Sequence, residues 1–179
     1  GTHVKLAEVN QNSNTSAIEL QQFITTDYKN YKIFINNILT DNQEIYARAM
    51  TGTNTAYSTS NYFASGDGYY KQYSGGSTGN QDQFSALGTS NMRFTPGFYQ
   101  DSTTEWAGRM IIDLYSEANK PMIAQGYYWT PRYNDQYVYH GTFSNSVVEN
   151  AQTWTGLRFY MHSGGNINNM DIQIYGIKH

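Results

Sequence analysis

The feature that most constrains this chain is a repeated period-two alternation of apolar and polar residues, cut off again and again by clusters of Gly, Asn, Ser and Thr. In residues 31–38 it sets Tyr31, Ile33 and Ile35 on one face and Lys32, Phe34 and Asn36 on the other, the pattern of a strand with one buried side. Residues 106–115 repeat it, with Gly108, Met110, Ile112 and Leu114 on one face. Similar runs occupy residues 4–9, 17–24, 43–50, 155–162 and 170–177, and Pro121 opens another through Trp129. Residues 51–104 are rich in Gly, Ser, Thr, Asn and Tyr; strands are expected around Tyr62, at 69–73 and at 91–95, with the most flexible loop at 74–80. Ser163-Gly164-Gly165-Asn166 reads as a hairpin-like turn between the last two strands.

No segment keeps an apolar stripe at helical spacing over three turns, so helices do not supply the core. About nine to eleven short strands predict an all-β fold, an antiparallel β-sandwich of jelly-roll-like type, with a closed barrel as the second choice. Ile33, Ile35, Met110, Ile112, Leu157, Phe159, Ile172 and Ile174 are the expected core, and the first and last strands are expected inside the sandwich.

A length of 179 residues suits one domain over residues 1–179. Gly1 stands where an initiator Met would, so the chain reads as cut or processed from a longer one, residues 1–3 being a remnant. The chain has 62 Asn, Gln, Ser and Thr residues against 25 charged ones, so amides and hydroxyls carry its surface. With 11 Lys and Arg against 14 Asp and Glu, it lacks the cations for a phosphate-neutralising face, and nucleic acid is not an expected partner. Cysteine is absent, which removes disulfides, thiolate chemistry and Cys-based zinc sites. No apolar run approaches the roughly 18 residues that cross a bilayer, and membrane insertion is not expected.

Catalytic patterns are weak. Gly75-Gly76-Ser77-Thr78-Gly79 matches a nucleophile elbow in letters, but no helix follows to hold the serine on its strained turn. His3, His140, His162 and His179 lack metal-ligand spacing. Asp101, Glu105, Asp113 and Glu117 could pair as acid and base, yet Asp113 and Glu117 read more simply as the solvent face of a strand. Ser65-Gly66-Asp67-Gly68 lacks the acidic spacing of a calcium loop and reads as an Asp-Gly turn. The expectation is a non-enzymatic protein with no cofactor and no metal.

The aromatic residues say more. Tyr69, Tyr70 and Tyr73, and the group Tyr127, Tyr128, Trp129, Tyr133, Tyr137 and Tyr139, exceed what one sheet face can bury, because adjacent strand residues point to opposite sides. An exposed Tyr or Trp offers a flat apolar face with a hydrogen-bonding edge, which suits sugar rings and adaptable protein contacts. The second group is the candidate ligand-binding site; the competing reading is core or subunit packing.

Three runs carry a resemblance. Thr155-Gly156-Leu157-Arg158-Phe159, Ser163-Gly164-Gly165-Asn166-Ile167 and Ile172-Gln173-Ile174-Tyr175-Gly176-Ile177-Lys178 form an ending that resembles phage virion proteins of tail-fibre and receptor-binding type. Asp27-Tyr28-Lys29-Asn30-Tyr31-Lys32-Ile33 and Ala107-Gly108-Arg109-Met110-Ile111 are similar to an early and a central strand of the same proteins. Met170 and Ile174 depart from the usual Gly and Leu. The resemblance implies a sandwich on the virion surface, hence extracellular, and carries no catalytic residue. It further implies a homo-oligomer, trimers being common in fibres, that contacts other virion proteins and recognises a host cell-surface glycan or receptor. The alternatives are a purely architectural decoration, baseplate or fibre-assembly domain and, behind it, a polysaccharide-cleaving enzyme.

Overall fold

A computed structural model describes residues 1–41, 44–52, 55–72, 80–95, 107–132, 137–149 and 152–178. Two antiparallel sheets pack face to face. The larger has eight strands in the order β1 (Thr2–Gln11), β13 (Ile167–Lys178), β3 (Asn30–Thr40), β9 (Gly108–Tyr115), β10 (Met122–Arg132), β11 (Tyr137–Val147), β6 (Tyr62–Gln72) and β7 (Asn80–Thr89). The smaller has β2 (Ala17–Leu20), β12 (Trp154–Met161), β4 (Ile45–Thr51) and β5 (Thr55–Ala56), with β8 (Met92–Arg93) also paired to β4. The all-β sandwich is the architecture expected from the alternation.

The alternation acts as the sheet geometry requires. Ile33 lies level with Ile174 and Ile112, and Ile35 with Ile172 and Met110, across three adjacent strands. All of these side chains are buried against Leu157 and Phe159 of the facing sheet in one core. Phe94 joins the layers: its ring lies 4.9 Å from Phe143 of the large sheet and 5.6 Å from Phe159 of the small one. Polar side chains cross the core where they can bond fully. Asn145 accepts from the Arg93 backbone N–H at 2.9 Å and donates to the Arg93 carbonyl at 2.9 Å, so it acts as a piece of strand. The Tyr62 hydroxyl accepts from the Ala49 N–H at 3.0 Å and donates to the Tyr57 carbonyl at 2.7 Å. Burial pushes that phenol well above its ordinary pKa.

The structure corrects several expectations. Residues 163–166 do not close a hairpin, because β12 pairs with β2 and β4 while β13 pairs with β1 and β3. The segment is a crossover between sheets through a short 3-10 turn at His162–Gly164. Asp41 holds it: its carboxylate accepts from the backbone and side-chain amides of Asn166, at 2.9 and 3.1 Å, and from the Asn168 side chain at 3.1 Å. These donors, the Asn166 backbone N–H first, hold the Asp41 carboxyl below its ordinary pKa. Tyr62 and residues 69–72 belong to one continuous strand, and β7 and β11 are strands that the sequence reading did not separate. Asp67 therefore sits in mid-strand rather than in a turn. The flexible loop expected at 74–80 lies outside the described residues except for Asn80, which begins β7.

The runs that carried the resemblance meet in space. The Tyr28 ring covers Gly176, where a Cβ would come within 2.6 Å of it, and Lys178 Nζ stands 6.0 Å from the centre of the same ring. The glycine of the final strand is thus a seat for a ring from the loop before β3.

Candidate functional site

The outer face of the large sheet is a register of rows running across β9, β10, β11, β6 and β7. One row is Arg109, Trp129, His140 and Tyr69. The next is Ile111, Tyr127, Thr142, Asp67 and Gln83, followed by Asp113, Gln125, Ser144, Ser65 and Ser85. The last is Tyr115, Ile123, Ser146, Phe63 and Leu87. Rows along a strand are separated by two residues, or roughly 6.6 Å.

Alternation divides the expected aromatic group between the two faces of β10 and β11. Tyr127 and Trp129 point outward and are 53% and 44% exposed. Tyr128 and Tyr139 point inward and are buried in the core. Tyr128 lies over Gly141, where an added Cβ would sit 2.5 Å from its hydroxyl, and that hydroxyl donates to the Asp67 carbonyl at 3.3 Å. Tyr133 lies outside the described residues. Tyr137 begins β11 opposite Arg132 and Gln72.

The sequence reading did not place Tyr69 in the site. It is 47% exposed and stacks on His140 at 6.0 Å with the planes 29° apart. Trp129 and Tyr69 flank His140, roughly 10 Å apart by strand spacing. Beside this row, where β11, β6 and β7 carry Ser, Thr, Asp and Gln outward, lies a shallow depression of about 440 Å³. Ser65, Asp67, Gln83, Ser85, Thr142 and Ser144 line it. Thr142 donates to Asp67 at 2.6 Å, which fixes the carboxylate in the middle of the floor. Exposed Ile123, Phe63 and Leu87 close the far side. The site is a polar, hydroxyl-rich trough between an aromatic and an aliphatic rim. Finding it in the sequence requires the register of β10, β11, β6 and β7, since no local pattern marks these serines.

The other candidates disperse. Asp113 pairs with Lys32 at 3.0 Å. Glu117 pairs with Lys29 at 2.7 Å and accepts from the Tyr115 hydroxyl at 2.7 Å, which holds its carboxyl below the ordinary range. Asp101, Glu105, Ser77 and His179 lie outside the described residues. Among the described residues, no three His, Asp or Glu side chains converge as metal ligands would. His162 instead faces Glu44 at 3.3 Å and Tyr46, whose phenol burial pushes up to about 12. Comparison with known protein families, curated proteins and solved structures finds no match for this chain.

Proposed function

We propose that the chain is a non-enzymatic module of a phage virion surface or tail fibre, which recognises a host cell-surface glycan on the outer face of its large sheet. The observation that carries this reading is the pairing of exposed Tyr127, Trp129 and Tyr69 with a trough of small hydroxyl and amide groups. Aromatic faces cover the C–H faces of a sugar ring, and the trough offers donors and acceptors for its hydroxyls without a dominant charge. Asp67 is the single carboxylate among the described residues that line the trough. Glycoside hydrolysis in its common form needs two, so the arrangement favours holding a glycan over cutting it. The virion setting rests on the resemblance of the final strands. Assembly as a homo-oligomer, with a trimer as its form, and contact with other virion proteins belong to the same reading. They draw support from β1 and β7, whose outer edges pair with no strand among the described residues and offer backbone to a neighbour.

The test is binding to an array of immobilised oligosaccharides and to extracted host-surface glycan. Trp129→Ala and Tyr69→Ala should each weaken binding by about tenfold or more while thermal stability stays at the parent's value. Tyr160→Ala, on the outer face of the opposite sheet, serves as the comparison. Variants that remain folded and oligomeric and bind like the parent overturn the reading and leave the architectural role.

A further inference from the structure

Strand β1 forms one edge of the large sheet: it pairs with β13 on one side and, on the other, with no strand among the described residues. Burial differs between the two strands. The inward residues Met170, Ile172 and Ile174 of β13 are 0–1% exposed, whereas Val4, Leu6, Ala7 and Val9 of β1 are only half-buried. Leu6, Ala7 and Val9 touch the core without being enclosed by it. An open backbone edge beside a half-covered apolar row is a template for one more strand.

A bulge decides which strand fits. Lys5 is level with Tyr175 and Ala7 with Ile174, which are consecutive in β13, so Leu6 is an extra residue in β1. In a regular strand residues 5 and 8 face opposite sides. The bulge turns the alternation over: Lys5 and Glu8 are both exposed and hydrogen-bonded to each other, while Leu6 and Ala7 both stay against the core. Outward from the Leu6–Ala7 bond, the strand therefore mirrors itself, with Lys5 matching Glu8 on the outer face and Val4 matching Val9 on the inner one.

Such a strand is complementary to its own reverse. With a two-fold axis at the Leu6–Ala7 bond and perpendicular to the sheet, two antiparallel β1 strands set each Lys5 level with Glu8 of the second copy, each Val4 with Val9 and each Leu6 with Ala7. Faces agree at every pair. Without the bulge the same register would set inward residues against outward ones. A bulge and a lysine taken alone blunt an edge against pairing, but here the bulges meet at the axis and each lysine meets a carboxylate. Exposed ion pairs add little stability, so the charges serve to fix the register. Backbone hydrogen bonds and the joined apolar rows supply the attraction.

We propose that β1 is a contact between two copies of this chain, paired edge to edge in this register so that their large sheets run into one. The inference rests on the reading above only for the expectation that copies meet, and it names the surface and the symmetry. A two-fold contact is isologous, unlike the head-to-tail contact that closes a trimer. It is tested by particle mass in sedimentation over a range of concentrations, where the parent should have twice the mass of either single variant. Lys5→Glu and Glu8→Lys each set like charges level at both crossings and should weaken the pairing by about tenfold or more. An equal mixture of the two variants should recover it, because a chain with two acids then meets a chain with two bases; a folding defect gives no such recovery. Cysteine is absent from the chain, so register can be read by cross-linking. Lys5→Cys mixed with Glu8→Cys should form a disulfide under mild oxidation, since level residues lie within its Cα reach of roughly 4.4–6.8 Å. Either variant alone keeps its cysteines roughly 7–10 Å out of level along the strand and should link far more slowly. A mass that neither charge substitution lowers overturns the inference, for a monomer and for a trimer alike. A mixture that associates no better than its components overturns it too, as does cross-linking in one variant alone as fast as in the mixture. Neither readout involves glycan, so failure here leaves the outer-face site untouched.

Discussion

The two halves of the large sheet fill their inner faces by different means. From β13 through β3 to β9, branched or flexible aliphatic side chains stand level with one another: Ile174, Ile33 and Ile112 in one row, Ile172, Ile35 and Met110 in the next. From β10 to β7, rings stand opposite glycines. Tyr128 is level with Gly141, Phe143 with Gly126 and Gly66, and Gly66 in turn with Phe84. A ladder of isoleucines divides volume evenly and loses stability mainly when atoms are removed. Rings laid over glycines concentrate volume in one strand and space in the next, so that half is equally sensitive to atoms added.

Substitutions can break or sharpen this contrast. The largest effect belongs to the aliphatic half: Ile33→Ala should cost about 2–5 kcal/mol, read as a lower denaturant midpoint at unchanged slope. In the aromatic half, Gly141→Ala should cost about 1–3 kcal/mol, because the new methyl meets the Asp67 carbonyl and the Tyr128 hydroxyl. A cost within about 0.5 kcal/mol would mean that the rings give way freely and that the halves do not differ.

The crossover clamp lies outside both halves and should matter less. Asp41→Asn is expected to cost about 1 kcal/mol at neutral pH. The Asp41 pKa is lowered by folding, so its contribution is complete above the ordinary value of 3.8 and fades as pH falls through the folded value. Acid titration of stability should therefore bring variant and parent together below that point. Smallest of all, Trp129→Ala should alter folding stability by no more than about 0.5 kcal/mol, since its side chain faces outward. Calorimetry on the same sample used for the glycan array checks this.

The same contrast explains what could be read from the sequence. Alternation in β3, β9 and β13 marks the buried face directly, and Ile33, Ile112 and Ile174 are all found there. In β11 and β7 the inward residues include Gly141, Asn145 and Ala86, too small or too polar to stand out from their neighbours. Gly141 is covered by Tyr128 of β10, and Asn145 is bonded to Arg93 of β8, so what sets their place lies in other strands. Tyr127 and Trp129 were legible because an aromatic run on a strand must expose part of itself. The hydroxyl trough was not, since it comes into being only when four strands are set in register.

The position of β13 between β1 and β3 also bears on the order of events in folding. The first strand finds its hydrogen-bonding partner only in the last, nearly a full chain length away, with Val9 set beside Ile172. Closing so long a loop adds little to the equilibrium cost, which grows only logarithmically with length. Its consequence is kinetic: pairings this distant in sequence slow the search for the native state. On the ribosome, β1 and β3 must wait with a strand-wide gap between them until β13 emerges.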